Sequence, residues 1–311
     1  MIYSTYSEAS LKPMIDFAKK VYGKNAYQAS KYFLKWALSN QYIEISTTDA
    51  KSGEVHSMIH SLRLSIGSLY IKSFFNYITN PEERGAGINH LANVRREHSF
   101  FIPAVSDQFL SKSYERFGAE KIHFNWFKRL LIPLPSLPLL LKFITKKNIS
   151  IVDDKNKIFI TNKLCSKTVS KISDVSGVVD IEFVKWRLNS KNNNRVFILE
   201  DKEETALIIA VLGKRRHMPV LRVISCFGSD KSAKKLADRA CQLGRGLGAI
   251  VCLTTIHERQ SNAFYADRRF KLRVGIDTFY KRVNSENSKP LIDPECLMLF
   301  GDLGFDEQFG G

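Results

Sequence analysis

Apolar and polar positions along this chain follow two periods, and the switches between them mark out its elements. In "SEASLKPMIDFAKKVYG" (7–23) and "NAYQASKYFLKWALSN" (25–40), apolar residues recur three and four apart behind Ser or Asn, and Gly23 closes the first run. Two opening helices are predicted. "YIEISTT" and "VHSMIHSLRLSI" flank the polar "DAKSGE" and predict a hairpin, and the nearly continuous "SLYIKSFFNYIT" (68–79) predicts a longer strand. A glycine loop follows directly. Beyond it come a helical "GINHLANVRREH", a strand in "SFFIPAVS", a helix in "DQFLSKSYERFG" between Asp107 as N-cap and Gly118 as stop, and a strand in "KIHFNWFKRLL".

After the proline-rich "LLIPLPSLPLLL" (130–141) and a polar "TKKN", a fresh start near residue 150 leads to a looser version of the same order. "DIEFVKWRLNS" reads as a helix, "RVFILED" with "TALIIAVLGKR" as a hairpin, "PVLRVISCFG" as a strand and "SDKSAKKLADRACQLGRGLG" as a helix. "AIVCLTTIH" is then a strand, "RQSNAFYADRRF" a helix, and "DTFYKRV" and "CLMLFGD" closing strands. One supersecondary order appearing twice points to a duplication. The expected units are 1–130 and 150–311, joined by a linker over 131–149, each a mixed α/β layer structure.

Composition changes this picture in two respects. The 311 residues carry 47 Lys and Arg against 31 Asp and Glu, a formal charge of +16, spread as 20 basic to 11 acidic residues in 1–150 and 27 to 20 beyond. Such a field draws in polyanions: nucleic acid, anionic lipid, or the phosphates of a nucleotide or coenzyme. The five cysteines, Cys165, Cys226, Cys241, Cys252 and Cys296, include no C-x-x-C pair. With no secretory pattern in "MIYSTYSEAS", the expectation is reduced thiols and a cytoplasmic location. The apolar 130–141 run is too short for a bilayer and holds three prolines, so no transmembrane segment is expected.

The chemistry concentrates in "NYITNPEERGAGINH" (76–90). A buried strand that ends in a glycine loop opening a helix is an anion-binding device: successive backbone N–H groups and the helix dipole point at the ligand, and glycine removes the Cβ that would hold it away. The spacing fits neither G-x-x-x-x-G-K-[ST] nor G-x-G-x-x-G. Among the polar residues of the preceding strand, Lys72, Ser73 and Asn76, Asn76 counts as a catalytic candidate. His56 and His60 lie four apart on one face of the strand before it, and an imidazole titrating near neutral pH suits a general base, for which His60 is the choice. His56, His60, His90 and His98 have no carboxylate or cysteine among them at ligand spacing, and no metal is expected. "KRRH" (214–217), Trp186 with Arg187, and Asp302 with Asp306 offer weaker sites for a phosphate, a base and a metal.

"YITNPEERGAGIN" resembles the acyl-CoA signature of the GNAT acyltransferase superfamily, N/H-P-x-x-R-G-x-G-I-G between a strand and a helix. Pro81, Arg84, Gly85, Gly87 and Ile88 match, and Asn89 stands where the family has Gly or Ala. The family's later Y-x-x-x-G-F is matched in "SYERFGAE" by Tyr114 and Gly118, with Ala119 replacing the aromatic. In the second half "CFGSDKSAKKLADRA" lacks R-G-x-G, and "FYADRRFKL" keeps Tyr265 without the glycine, so the second unit resembles a degenerate copy. The resemblance implies two tandem GNAT-like domains and an enzyme that moves an acyl group from acyl-CoA to an amine. Tandem relatives suggest the amino group of a nucleotide-linked sugar in surface-polysaccharide synthesis. It further implies that the backbone around Ile78 and Thr79 serves the thioester carbonyl and pantetheine arm, that the N–H groups of Arg84, Gly85, Ala86, Gly87, Ile88 and Asn89 take the pyrophosphate, and that Tyr114 is the acid for the departing thiolate. Two other readings stay open here: a FemABX-like transferase using aminoacyl-tRNA, and a basic nucleic-acid-binding protein without catalysis.

Overall fold

The computed structural model describes residues 2–3, 8–24, 26–39, 42–49, 54–66, 69–80, 89–90, 92, 99–105, 108–116, 118–131, 150–153, 158–162, 166–176, 180–188, 196–201, 206–215 and 218–281. Helix α1 (Glu8–Tyr22) forms where Leu11, Met14, Ile15 and Ala18 make a buried stripe, and it ends at Gly23, whose φ of +90° allows its N–H to close on the Lys19 carbonyl. The second predicted helix is broken. Tyr27–Ala29 form a 3₁₀ turn and α2 starts afresh at Lys31–Ala37, because the extended Ser30 caps it with Oγ on the Phe33 N–H.

Strands β1 (Ile2–Tyr3), β2 (Ile43–Asp49), β3 (Val55–Ile66) and β4 (Leu69–Thr79) pair antiparallel in that order. Next come β5 (Ser99–Val105), helix α3 (Gln108–Arg116) and β6 (Glu120–Leu130). The second half holds β7 (Ser150–Asp153), β8 (Ile158–Thr161), α4 (Ser166–Ser176), α5 (Ile181–Leu188), β9 (Val196–Asp201), β10 (Ala206–Arg215) and β11 (Met218–Phe227). It closes with α6 (Asp230–Gly246), β12 (Val251–His257), the short α7 (Asn262–Tyr265) and β13 (Lys271–Lys281). The pattern between 150 and 176 does not announce β7, β8 or α4, since four-residue strands are too short to display a period. The helix expected over 259–270 shrinks to α7, as Asp267 turns the chain by accepting the Arg269 N–H and its carbonyl takes the Phe270 N–H.

The described strands form one sheet, in the order β1-β2-β3-β4-β5-β13-β6-β12-β11-β10-β9-β8-β7. The order contains an exchange. β13, from the second half, inserts between β5 and β6, and β6, from the first half, pairs with β12. Each half therefore completes the other's sheet.

The duplication extends to a detail of register. Between β3 and β4, Ile59 faces Tyr77 while His60 faces Phe75, leaving Asn76 as an extra residue; between β10 and β11, Ile209 faces Ser225 while Ala210 faces Val223, leaving Ile224 extra. Both are β-bulges at matching places. Helices α1, α2, α4 and α5 cover one face over a shared core in which Trp36 and Trp186 stack at 4.4 Å, and the Trp186 indole donates to the Trp36 carbonyl. On the other face α6 and α7 lie over Phe127, Leu221 and Val223, and α3 lies over Ile59 and Phe74.

Candidate functional site

Strand β4 carries the candidate site. Its parallel ladder with β5 covers Ile71, Lys72 and Ser73, paired with Ser99, Phe100 and Phe101, and ends there, while β4 continues to Thr79. The bulge at Asn76 lies within this continuation, where the extra residue turns the local backbone out of its regular alternation. Ile78 is buried in the α1–α2 core and Thr79 is half-buried opposite Ser57. The loop then begins: Arg84, Gly85, Ala86, Gly87 and Ile88 lie outside the described residues, as does the side chain of Asn76. The helical chain reappears with exposed Asn89 and buried His90.

His90 ties the start of that helix to the sheet. Its Nε2 is 2.6 Å from Ser46 Oγ and its Nδ1 is 2.7 Å from Ser57 Oγ, which in turn lies 2.6 Å from Thr48 Oγ1. A neutral imidazole donates through one nitrogen and accepts through the other, so it can join two hydroxyls on neighbouring strands. Burial lowers the His90 pKa and keeps the ring in this neutral form. In the sequence His90 stands out only as a poor metal ligand; its position just past the glycine motif was the signal for its tie to the sheet.

Tyr114, on α3, is 3% exposed and packs with Ile59, Phe74 and Ala119, its ring 5.3 Å from that of Phe279. β13 thus brings Phe279 into the Tyr114 cluster from the other half of the chain. His60 stands on the opposite face of the sheet. It is wholly buried between Phe33 and Phe75, at 5.9 and 5.6 Å between ring centroids, and burial pushes its pKa down to about 3. Burial argues against His60 as the general base expected from the sequence: a ring held neutral below pH 7 is a poor proton acceptor, and the sheet lies between it and Tyr114. His56, on the same face, instead lines a polar pocket of about 290 Å³ with Asp16, Glu54 and Asn80.

A carboxylate that the sequence did not single out, Glu44, is buried on β2 and held by Arg63 and by Lys72 at 3.2 Å. In the second half, the β11–β12 ladder likewise ends at Val223, one residue before the bulge. There the chain turns at Gly228, with φ of +118° and Ala206 so close that an added Cβ would lie 2.6 Å from the Ala206 Cβ, and enters α6 at once. Ser229 Oγ already accepts the Ser232 N–H, so the first turn of α6 is capped from within. Asp107, His98, the strand expected at 296–302, and Asp302 with Asp306 lie outside the described residues. Among the described residues no cluster of His, Cys, Asp or Glu is placed to hold a metal, and no helix is long and apolar enough to cross a membrane.

No protein-family model and no curated protein matches the sequence. Solved structures do. A tandem GNAT protein from the clavulanic acid biosynthesis pathway superposes with a TM-score of 0.55 at 9% identity, over 92% of this chain and 99% of its own. Saccharomyces cerevisiae N-myristoyltransferase, solved with bound myristoyl-CoA, gives 0.52 at 11% identity over 90% and 77%. A GCN5-related glucosamine N-acetyltransferase region of a fungal multi-domain GH3 β-N-acetylglucosaminidase gives 0.54 at 7% identity over 90% of this chain, which spans only 38% of that one. The fold is the tandem GNAT fold, and the two-unit α/β expectation is met.

Proposed function

We propose that this chain, built on the tandem GNAT fold, transfers an acyl group from acyl-CoA to an amine. The observation that carries the reading is the coincidence on one strand of three features: a ladder that stops at Ser73, a bulge at Asn76, and the R-G-A-G loop directly after Thr79. Backbone groups at Ile78 and Thr79 would engage the pantetheine arm and thioester carbonyl, and the N–H groups from Arg84 to Asn89 would receive the pyrophosphate.

In the reaction the amine nitrogen attacks the thioester carbon, a C–N bond forms, and the C–S bond breaks. The ammonium proton leaves to water, since His60 is unsuited to take it, and Tyr114 protonates the departing thiolate. Asn76 is retained as a polar residue at the bulge. The acceptor we favour is an amino sugar linked to a nucleotide, and the units 1–130 and 150–311 with the linker 131–149 are the proposed division of labour: the first half binds acyl-CoA and the degenerate second half completes the acceptor side.

Calorimetric titration with CoA tests the reading. Wild-type protein should bind and Gly87→Glu should not, because the added side chain fills the phosphate nest; equal binding by both would end the assignment.

A further inference from the structure

Where β6 of the first half runs into the second, its end meets the C-terminus of α6 and the turn before β13 around a pocket of about 480 Å³. Six cationic residues line it: Lys128, Arg129, Arg245, Arg268, Arg269 and Lys271. That volume is in the range of small-molecule sites.

Part of this charge has a structural account. Arg245 lies in the last turn of α6, where the helix dipole favours a cation. Arg129 is 2.6 Å from Asp238, and Arg269 is 2.7 Å from Asp267. Lys234 bridges both carboxylates and sits 4.9 Å from the Phe270 ring, so the two acids are already shared among three cations.

The rest has none. Lys128, Arg268 and Lys271 are exposed and make no ion pair among the described residues. Lys128 and Lys271 are moreover direct cross-strand partners on β6 and β13. Like charges directly opposite on a sheet destabilise it. Two lysines facing each other in the lining of a cationic pocket, beside Arg129 and Arg269 held in place by Asp238 and Asp267, favour an anion with more than one charge.

We propose that this pocket binds a diphosphate-bearing small molecule, with Lys128, Arg268 and Lys271 as its direct ligands. Leu130, 68% exposed, and Leu131 form an apolar wall beside the cations, where the group carrying the phosphates can rest. The site exists only because of the strand exchange, which brings β6 and β13 side by side. The identification of its ligand as the acceptor's diphosphate rests on the acyl-transfer reading; the anion site itself does not.

The test uses the full chain, with inorganic pyrophosphate and CoA titrated separately by calorimetry into wild type and K128Q/K271Q. Pyrophosphate binding should weaken about tenfold or more in the variant, through loss of two charge-assisted contacts. CoA affinity should stay unchanged, and Tm should be equal or higher because the facing like charges are gone. Equal pyrophosphate binding by both proteins overturns the site. Loss of CoA affinity in parallel with pyrophosphate overturns the acceptor assignment and gives the pocket to the coenzyme's own phosphates. Tighter binding of a 20-nucleotide RNA, with a steep salt dependence that the variant loses, overturns it in favour of a nucleic-acid surface. Failure of wild type to bind CoA while pyrophosphate binding follows the prediction would refute the acyl-transfer reading and leave the anion site standing. Should the double variant misfold, the exposed R268Q change carries the same pyrophosphate and CoA comparison.

Discussion

Replacing His60 by leucine tests both its burial and its exclusion from catalysis. The ring is 0% exposed between Phe33 and Phe75, and burial lowers its pKa from 6.5 to about 3. A depressed folded-state pKa means that the unfolded chain takes up a proton at higher pH than the native one does. The stability linked to this group is therefore complete above pH 6.5 and drains as pH falls toward 3. Between pH 7 and 5 the unfolded state goes from about one quarter protonated to nearly fully protonated at this position while the native state takes up almost nothing, which costs about 2 kcal/mol. The assay is urea unfolding of wild type and His60→Leu at both pH values. Wild type should lose about 2 kcal/mol more than the variant across that interval, and any effect of the substitution common to both pH values cancels in the difference. Identical pH dependence would refute the buried neutral ring. In the same variant, acyl-transfer kcat at pH 7 should stay within about threefold of wild type; a loss of about a hundredfold would restore His60 as the base.

Two further outcomes follow from the site. His90→Phe removes hydrogen bonds of 2.6 and 2.7 Å to Ser46 and Ser57, so unfolding free energy should fall by about 1–3 kcal/mol. CoA affinity should fall with it, because the helix after the loop loses its tie to β2 and β3; unchanged CoA binding in a destabilised variant would separate His90 from the loop. Tyr114→Phe should lower kcat by about a hundredfold with little change in KM, the pattern of a group used in the transition state. An unchanged rate would make Tyr114 a packing residue of the Phe74–Phe279 cluster alone.

The elements that carry the candidate site were legible in the residues: the strand ending at Thr79 and the tyrosine helix before Gly118 both form where the spacing places them. R-G-A-G between them points to acyl-CoA because a phosphate nest and a positioned hydroxyl require those residue types at short, local spacing. The burial of His60 was not legible, for an equally physical reason. Period-two alternation correctly puts His56 and His60 on one face, but alternation does not say whether helices cover that face, and α1 and α2 do. His90 was overlooked because its partners, Ser46 and Ser57, lie more than thirty residues away in the chain.

By itself, the sequence determined the two opening helices, the long strands and the helices after them in both halves, the repeat of that order, and the residues of the glycine motif at 76–90, all of which are written in spacing between near neighbours along the chain. Only the tertiary structure decided which strand lies beside which. β13 pairs with β5 and β6 with β12, the two bulges fall at matching places, and Lys128 comes to face Lys271. Backbone N–H and C=O groups are the same in every residue, so the identity of a strand's neighbour is set by the packing of the whole sheet between its two helical layers.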